Sequence, residues 1–510
     1  MEIDTGNPDL KLSWGNTVRY NLGVRTNGRN DVIGNSPNTD EGDYLFDRGD
    51  VVTNRIDLLT EIDASYKRNY GLRLSASAWN DWAYKNESKT NPGLATRGSY
   101  TGNEFSSYTK RYFKGPSGEF LDAYVYSAFS LGDMGASFKL GRQTVLWGEA
   151  ISLSAHSVSY AQAPSDGLKG LATPGADAKE LALPVGQLSG SLQVTQTLTL
   201  AAQYYFEWQP TRVAEGGTYL GGTDFILQGP DRFSLSPAIT LTNRGVDRPK
   251  NSGNWGFSAR WTPSWLDATL GAYVREFDER SPTISLNIAD RSYRAVYPEN
   301  ARLYGVSLAT SIAGVSTGFE IVHREKTALN SSIADGAAAG ARGKTWHALA
   351  NAVAVAGPNK LWDQLTVTGE LAYSYLEKVT SGEQYFLGCY KRAAGDQDAN
   401  TGCVTRDAWQ GFLRISPSWV AVWPGWDISG LASISAGLHG NSAVLGGGNY
   451  RAGSYSLGAT FTYNQRHDFS IAFNDYLATN QATAAGTIRV SNGSQIQDRG
   501  WVVFTYKGSF

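Results

Sequence analysis

The sequence is short of the residues that carry metal or covalent chemistry. Its 510 residues include 2 Cys, 2 Met and 5 His, too few for the ligand clusters of a metalloprotein, so no metal and no cofactor is expected. Charge is also scarce, at 18% of residues, and 45 basic side chains nearly balance 47 acidic ones. The net charge of −2 and pI near 6.3 give no positive field for phosphates, and nucleic acid is not an expected partner. No apolar run approaches the roughly 18 residues of a membrane helix, and mean hydropathy is −0.32. Helical spans are excluded. The opening Met1-Glu2-Ile3-Asp4-Thr5-Gly6 is polar, so either no secretory leader is used or the mature chain is given; the strand pattern favours the second.

What is abundant is Gly (57) and aromatic rings (19 Phe, 15 Trp, 27 Tyr), a balance that excludes disorder. From Arg55 to Tyr66 the chain alternates, with Ile56, Leu58, Ile62, Ala64 and Tyr66 opposite Arg55, Asp57, Glu61, Asp63 and Ser65. That period of two is a strand. Similar runs of about nine or more residues recur about 18 times, starting near residues 10, 48, 70, 120, 135, 185, 198, 254, 268, 301, 315, 344, 364, 408, 426, 452, 467 and 498. Soluble strands average five or six residues, whereas membrane strands need about ten.

Connections alternate between tight turns, such as Gly132-Asp133, Ala313-Gly314 and Pro424-Gly425, and long polar loops at 27–47, 85–119, 149–184, 211–253, 281–300, 329–343, 380–407, 439–451 and 480–497. The pattern predicts an all-β fold: one closed up-and-down antiparallel transmembrane β-barrel over 1–510, of 18 strands within a range of 16 to 20, with both termini periplasmic. A soluble propeller would show a 40 to 50 residue repeat, and none is found. Closure pairs every backbone group, as hydrocarbon requires. Trp265, Trp362, Trp423 and Trp426, in or beside short turns, read as a periplasmic girdle.

Inward faces would carry Lys11, Thr17, Arg19 and Arg25 from the first strand, Arg55, Asp57, Glu61 and Asp63 from the second, and Thr366, Thr368, Glu370 and Ser374 from the thirteenth. Both signs occur, which reads as a paired wall network rather than an ion-selective ladder. The third loop, 149–184, carries little charge, and Leu168, Leu171, Leu181 and Leu183 would otherwise face water. The expectation is that it folds into the lumen as a constriction or plug, those leucines lining an apolar path while Arg142, Glu149, Asp177, Lys179 and Glu180 anchor it. Pro174 to Pro184 would form one helical turn, and a bulge at Gly141 would turn Arg142 inward. Cys389 and Cys403 share one polar loop in an oxidising compartment and are expected to pair.

Two resemblances add to this reading. The ending Trp501 to Phe510, with Val502, Phe504, Tyr506 and Phe510 on one face, resembles the C-terminal assembly signal of bacterial outer-membrane barrels. It implies a Gram-negative outer membrane, with its lipids and the barrel assembly machinery as partners. Gly141-Arg142-Gln143 with Trp147-Gly148-Glu149, Pro174-Gly175-Ala176-Asp177-x-Lys179-Glu180 with Leu183-Pro184, and Phe206-Glu207-Trp208-x-x-Thr211 together resemble a proteobacterial outer-membrane family of unassigned function. Members are often encoded beside a periplasmic partner and an inner-membrane exporter of the resistance-nodulation-division type, and in catabolic clusters for hydrophobic compounds. The resemblance implies a channel or transporter for steroid-, fatty-acid- or aromatic-like molecules, with permeation controlled by the third loop; the alternative is an export or assembly barrel serving the periplasmic partner and exporter. This chain departs from the family pattern over Ile151 to Pro164.

Enzymatic readings find little. His156, His323, His347, His439 and His467 lack a suggestive local motif, and Gly340-Ala341-Arg342-Gly343-Lys344-Thr345 lacks the first glycine of a phosphate loop. No catalytic residue is expected.

Overall fold

The computed structural model describes residues 1–172 and 181–510. Eighteen strands close on themselves, and a two-residue strand, Glu2–Ile3, lies against the first of them. In chain order they are β1 (Leu10–Arg25), β2 (Val51–Tyr66), β3 (Tyr70–Asp81), β4 (Ser117–Leu131), β5 (Met134–Gln143) and β6 (Val185–Gln193). Then follow β7 (Leu198–Tyr205), β8 (Trp255–Trp261), β9 (Ala268–Phe277), β10 (Ala301–Ile312), β11 (Val315–Leu329) and β12 (Ala341–Ala356). The last are β13 (Gln364–Ser381), β14 (Asp407–Trp423), β15 (Trp426–His439), β16 (Gly453–Tyr463), β17 (His467–Leu477) and β18 (Trp501–Ser509). Each pairs antiparallel with its sequence neighbours, and β18 pairs with β1 from Thr17↔Ser509 to Arg25↔Trp501. Every expected start lies within three residues of an observed one.

Alternation decides which side chains meet lipid. On β2, Ile56, Leu58 and Ile62 are exposed while Arg55, Asp57 and Leu59 are buried, and on β11 Phe319 and Ile321 are exposed while Glu320, Val322 and Arg324 are buried. A circumferential apolar exterior is intolerable in water and is the pattern of a lipid-facing wall. The final strand follows it: Phe504 is exposed, the Tyr506 hydroxyl lies 3.0 Å from His467 Nδ1, and Phe510 packs edge-on against the same imidazole.

Two expectations need correction. The pairing of β5 runs one to one through Gly141 with both neighbours, so Arg142 keeps the outward face of Leu140, and Gln143, 1% exposed, points inward instead. The irregularity lies next door, where Leu121 and Asp122 on β4 together face Ser75. The loops are also more ordered than their polarity suggests. Arg232–Ser236, Ile239–Asp247, Thr283–Asn287, Ser292–Val296 and Ala334–Asp335 form a separate five-stranded sheet with parallel and antiparallel pairs. Its apolar side packs Phe225, Phe233, Leu241, Ile284, Leu286 and Tyr293 together.

Cys389 and Cys403 are bonded, in the loop between β13 and β14. They stand 14 positions apart, and closing a loop of that size stabilises by about 3 kcal/mol in the chain-entropy model. Replacing both by serine is expected to lower the midpoint of loop opening, read by hydrogen exchange over 382–406, while the barrel ladder keeps its protection. Unchanged exchange there would show the bond to be dispensable.

Candidate functional site

The site is built where the third loop meets inward-facing side chains of β9 to β14. Glu320 on β11 accepts backbone N–H bonds from Glu149, from Ala150 at 3.2 Å and from Val158 at 2.7 Å. Glu370 on β13 accepts three more, from Ile151 (2.8 Å), Ser152 (2.7 Å) and Leu153 (2.6 Å). Carboxylates suit this role because each has two acceptor oxygens, and bonds to a charged acceptor are the stronger kind. Guanidinium groups take the loop's carbonyls: Arg275 donates to Val158 O (2.9 Å) and Tyr160 O (2.7 Å), Arg324 to Ala155 O (2.8 Å) and Arg280 to Ala161 O (2.8 Å). The loop backbone, which has no ladder of its own here, is thus satisfied by the wall.

A histidine pair completes the junction. His156 Nδ1 of the loop lies 3.1 Å from His347 Nδ1 of β12, and its Nε2 reaches Gln410 Oε1 and Gly447 O, each at 3.1 Å. Burial, then the Arg324 guanidinium, pulls the His156 imidazole down to about 4, so it is neutral at ordinary pH. Sequence reading missed this pair because the partners stand 191 residues apart with no motif around either.

Of the expected loop residues, Glu149 holds the junction through its backbone, and its carboxylate accepts from Ser307 Oγ at 3.3 Å. Leu183 packs on Leu59 and Leu121 of the wall, whereas Leu168 joins an aromatic cluster with Tyr84, Phe113 and Trp501. Leu181 is half-buried, and its carbonyl accepts from Asp166 N at 2.6 Å. Asp177, Lys179 and Glu180, with most of the expected Pro174 to Pro184 turn, lie outside the described residues, as does the side chain of Leu171. Helix is found just before them, at Gly167–Ala172. Arg142 is away from this junction, 3.2 Å from Glu207 on the outer side.

The wall residues pair among themselves. Arg55 grips Asp57 at 2.9 Å, and Arg73 links Glu61 (2.5 Å) with Asp63 (3.9 Å) and Asp122 (3.4 Å). Arg19, 2% exposed, stands opposite Asp57 on one side and Lys507 on the other.

Fold and site define a class: a closed 18-stranded antiparallel barrel whose inward carboxylates and guanidiniums hold a loop by its backbone. The chain belongs to the family described as Protein of unknown function (DUF1302), which matches residues 3–510. No curated protein matches it. Among solved structures it is similar to Pseudomonas aeruginosa OpdK with vanillate (TM-score 0.45, 10% identity, 98% of each chain covered). It is also similar to Pseudomonas aeruginosa OccD3 (OpdP) (TM-score 0.42, 13% identity, 98% of this chain and 91% of that one). A third likeness is to the outer membrane channel DcaP of Acinetobacter baumannii (TM-score 0.39, 8% identity, 99% of each).

Proposed function

We propose that the protein is a channel of the Gram-negative outer membrane for hydrophobic or amphipathic small molecules, and that the third loop sets what passes. The observation that supports it is the six-bond attachment of residues 149–158 to Glu320 and Glu370, two carboxylates on the inward side of the barrel. A loop held there narrows the lumen, and the apolar belt outside requires a membrane around it. The inward charges are largely paired, so neither cations nor anions are favoured as such. Family membership is consistent with this reading and names no solute.

Shortening the loop between Ser165 and Leu181, which leaves the 149–158 stretch held by both glutamates intact, is the test. In planar bilayers the shortened barrel is expected to pass small polar solutes faster than the intact one. A shortened barrel that assembles yet conducts no better would overturn the gating role.

A further inference from the structure

β4 is paired with β3 from Ser117 to Ser127 but with β5 only from Ala123 onward, because β5 ends at Gln143. Ser117 to Asp122 therefore line a notch in the loop-side rim of the wall. A cavity of about 630 Å³ occupies it. Its walls carry four guanidinium groups, Arg111, Arg142, Arg212 and Arg248, against two carboxylates, Glu119 and Glu207. Glu119 is consumed by Arg212, which grips both of its oxygens at 2.8 and 2.5 Å. At the mouth Phe120 is 71% exposed on the lipid-facing side.

Two residues that line this cavity each carry an unanswered donor. Among the described residues, Trp208 Nε1 and Arg142 Nε are buried with no acceptor, and Trp208 is only 2% exposed. A buried donor without a partner costs about 1–3 kcal/mol, so a ligand that supplies an acceptor is favoured there. Tyr112, Glu119 and Arg212 also line a small interior cavity of about 20 Å³, and Arg55, Tyr112 and Leu168 connect that to a third of about 30 Å³ against Tyr84, Phe113 and Trp501. The notch is thus separated from the small cavities beside the aromatic interior by the side chains of Tyr112 and Arg212, which wall both. Two segments singled out in the sequence, Gly141-Arg142-Gln143 and Phe206-Glu207-Trp208, meet at this notch rather than at the loop junction.

We propose that the notch is a side site for an amphipathic monocarboxylate, its head on Arg142, Arg248 and the Trp208 N–H and its chain along Phe120. This deepens the channel reading, on which it rests for the class of solute. The carboxylate supplies an acceptor for the Trp208 N–H and for Arg142 Nε, the Nη1 of that guanidinium being held by Glu207, and offsets the charge of Arg111 and Arg248. An alcohol of the same length offers a single neutral acceptor oxygen and leaves the guanidinium charge unmatched.

The test uses the full chain in detergent with dodecanoate and dodecanol as probes, read by displacement of a fluorescent fatty acid, and with dodecyl phosphate as a third arm. Dodecanoate is expected to bind about tenfold or more tighter than dodecanol, and Arg248→Gln or Arg142→Gln to remove that preference. Because both native cysteines are bonded, Phe120→Cys places one reactive thiol at the mouth, and a bulky maleimide on it is expected to abolish dodecanoate binding. Equal binding of acid and alcohol, or binding that survives both the arginine variants and the blocked mouth, overturns the proposal. Preference for dodecyl phosphate over dodecanoate overturns it in favour of a lipid headgroup site. Conductance in bilayers separates the two readings: a conducting barrel without carboxylate preference sinks the notch alone, whereas a barrel that binds dodecanoate but passes no solute sinks the channel.

Discussion

Replacing Glu320 and Glu370 together by alanine is expected to release the third loop and raise small-ion conductance several-fold, with the barrel still assembled. The two carboxylates accept six backbone N–H groups of residues 149–158. Each N–H stranded without an acceptor costs about 1–3 kcal/mol, more than the loop regains by any rearrangement that stays in place. The strands lose nothing equivalent, because β11 and β13 are paired along their length through backbone groups that alanine retains. Glutamine at both positions keeps one acceptor oxygen per side chain, and its effect is expected to fall between wild type and alanine. Single-channel recording in planar bilayers reads the effect, and heat-modifiable migration on gels reports assembly. An assembled double variant with wild-type conductance would show that the loop's position does not depend on these bonds.

The strands were legible because a lipid-facing barrel forces strict alternation over long runs: Ile56, Leu58 and Ile62 outside, Arg55, Asp57 and Leu59 inside. Turn residues such as Gly132 and Gly314, both at positive φ, marked the short ends. The extra sheet in the loops was not legible, since Thr283–Asn287 and Ser292–Val296 are five residues each and alternate too briefly to stand out from polar loop. Glu370 could be placed on an inward face by parity, and Glu320 follows the same rule beside exposed Phe319 and Ile321. Parity names no partner, however. That these carboxylates meet the backbone of residues 149–158, or that His156 meets His347, is a consequence of closing the barrel around the loop. Arg142 failed for a related reason: a glycine at positive φ, here Gly141, need not insert a residue into the ladder, and this one does not.

The cap that the first, second, fourth and ninth loops build on one another should loosen as pH rises. Asp40 and Glu41 of the first loop are buried against Asp224 of the fourth, which also buries Glu215, with Asn91, Arg97 and Ser99 of the second loop and Arg499 of the ninth around them. Arg499 spends its bonds on the carbonyls of Tyr219 (2.7 Å) and Gly221 (2.6 Å), and Arg97 donates to Ser234. Burial, then repulsion from Asp224, pushes Asp40 up to about 7 and drives Glu41 well above the usual range. Burial alone raises Asp224 to about 6 and Glu215 to about 8. Groups raised on folding stabilise fully below their unfolded value, about 4, and that stability is lost as pH climbs through their folded values, here between about 6 and 8. Hydrogen exchange over 40–45 and 215–229, corrected for the intrinsic pH dependence, is expected to lose about tenfold or more of its protection between about pH 5 and about pH 8. Asp224→Asn keeps an acceptor for Glu41 N while removing one charge, so it should flatten that profile. Protection equal at both pH values in the wild type would mean that the buried carboxyls find compensation the cap does not display, and the pH-sensitive closure would be wrong.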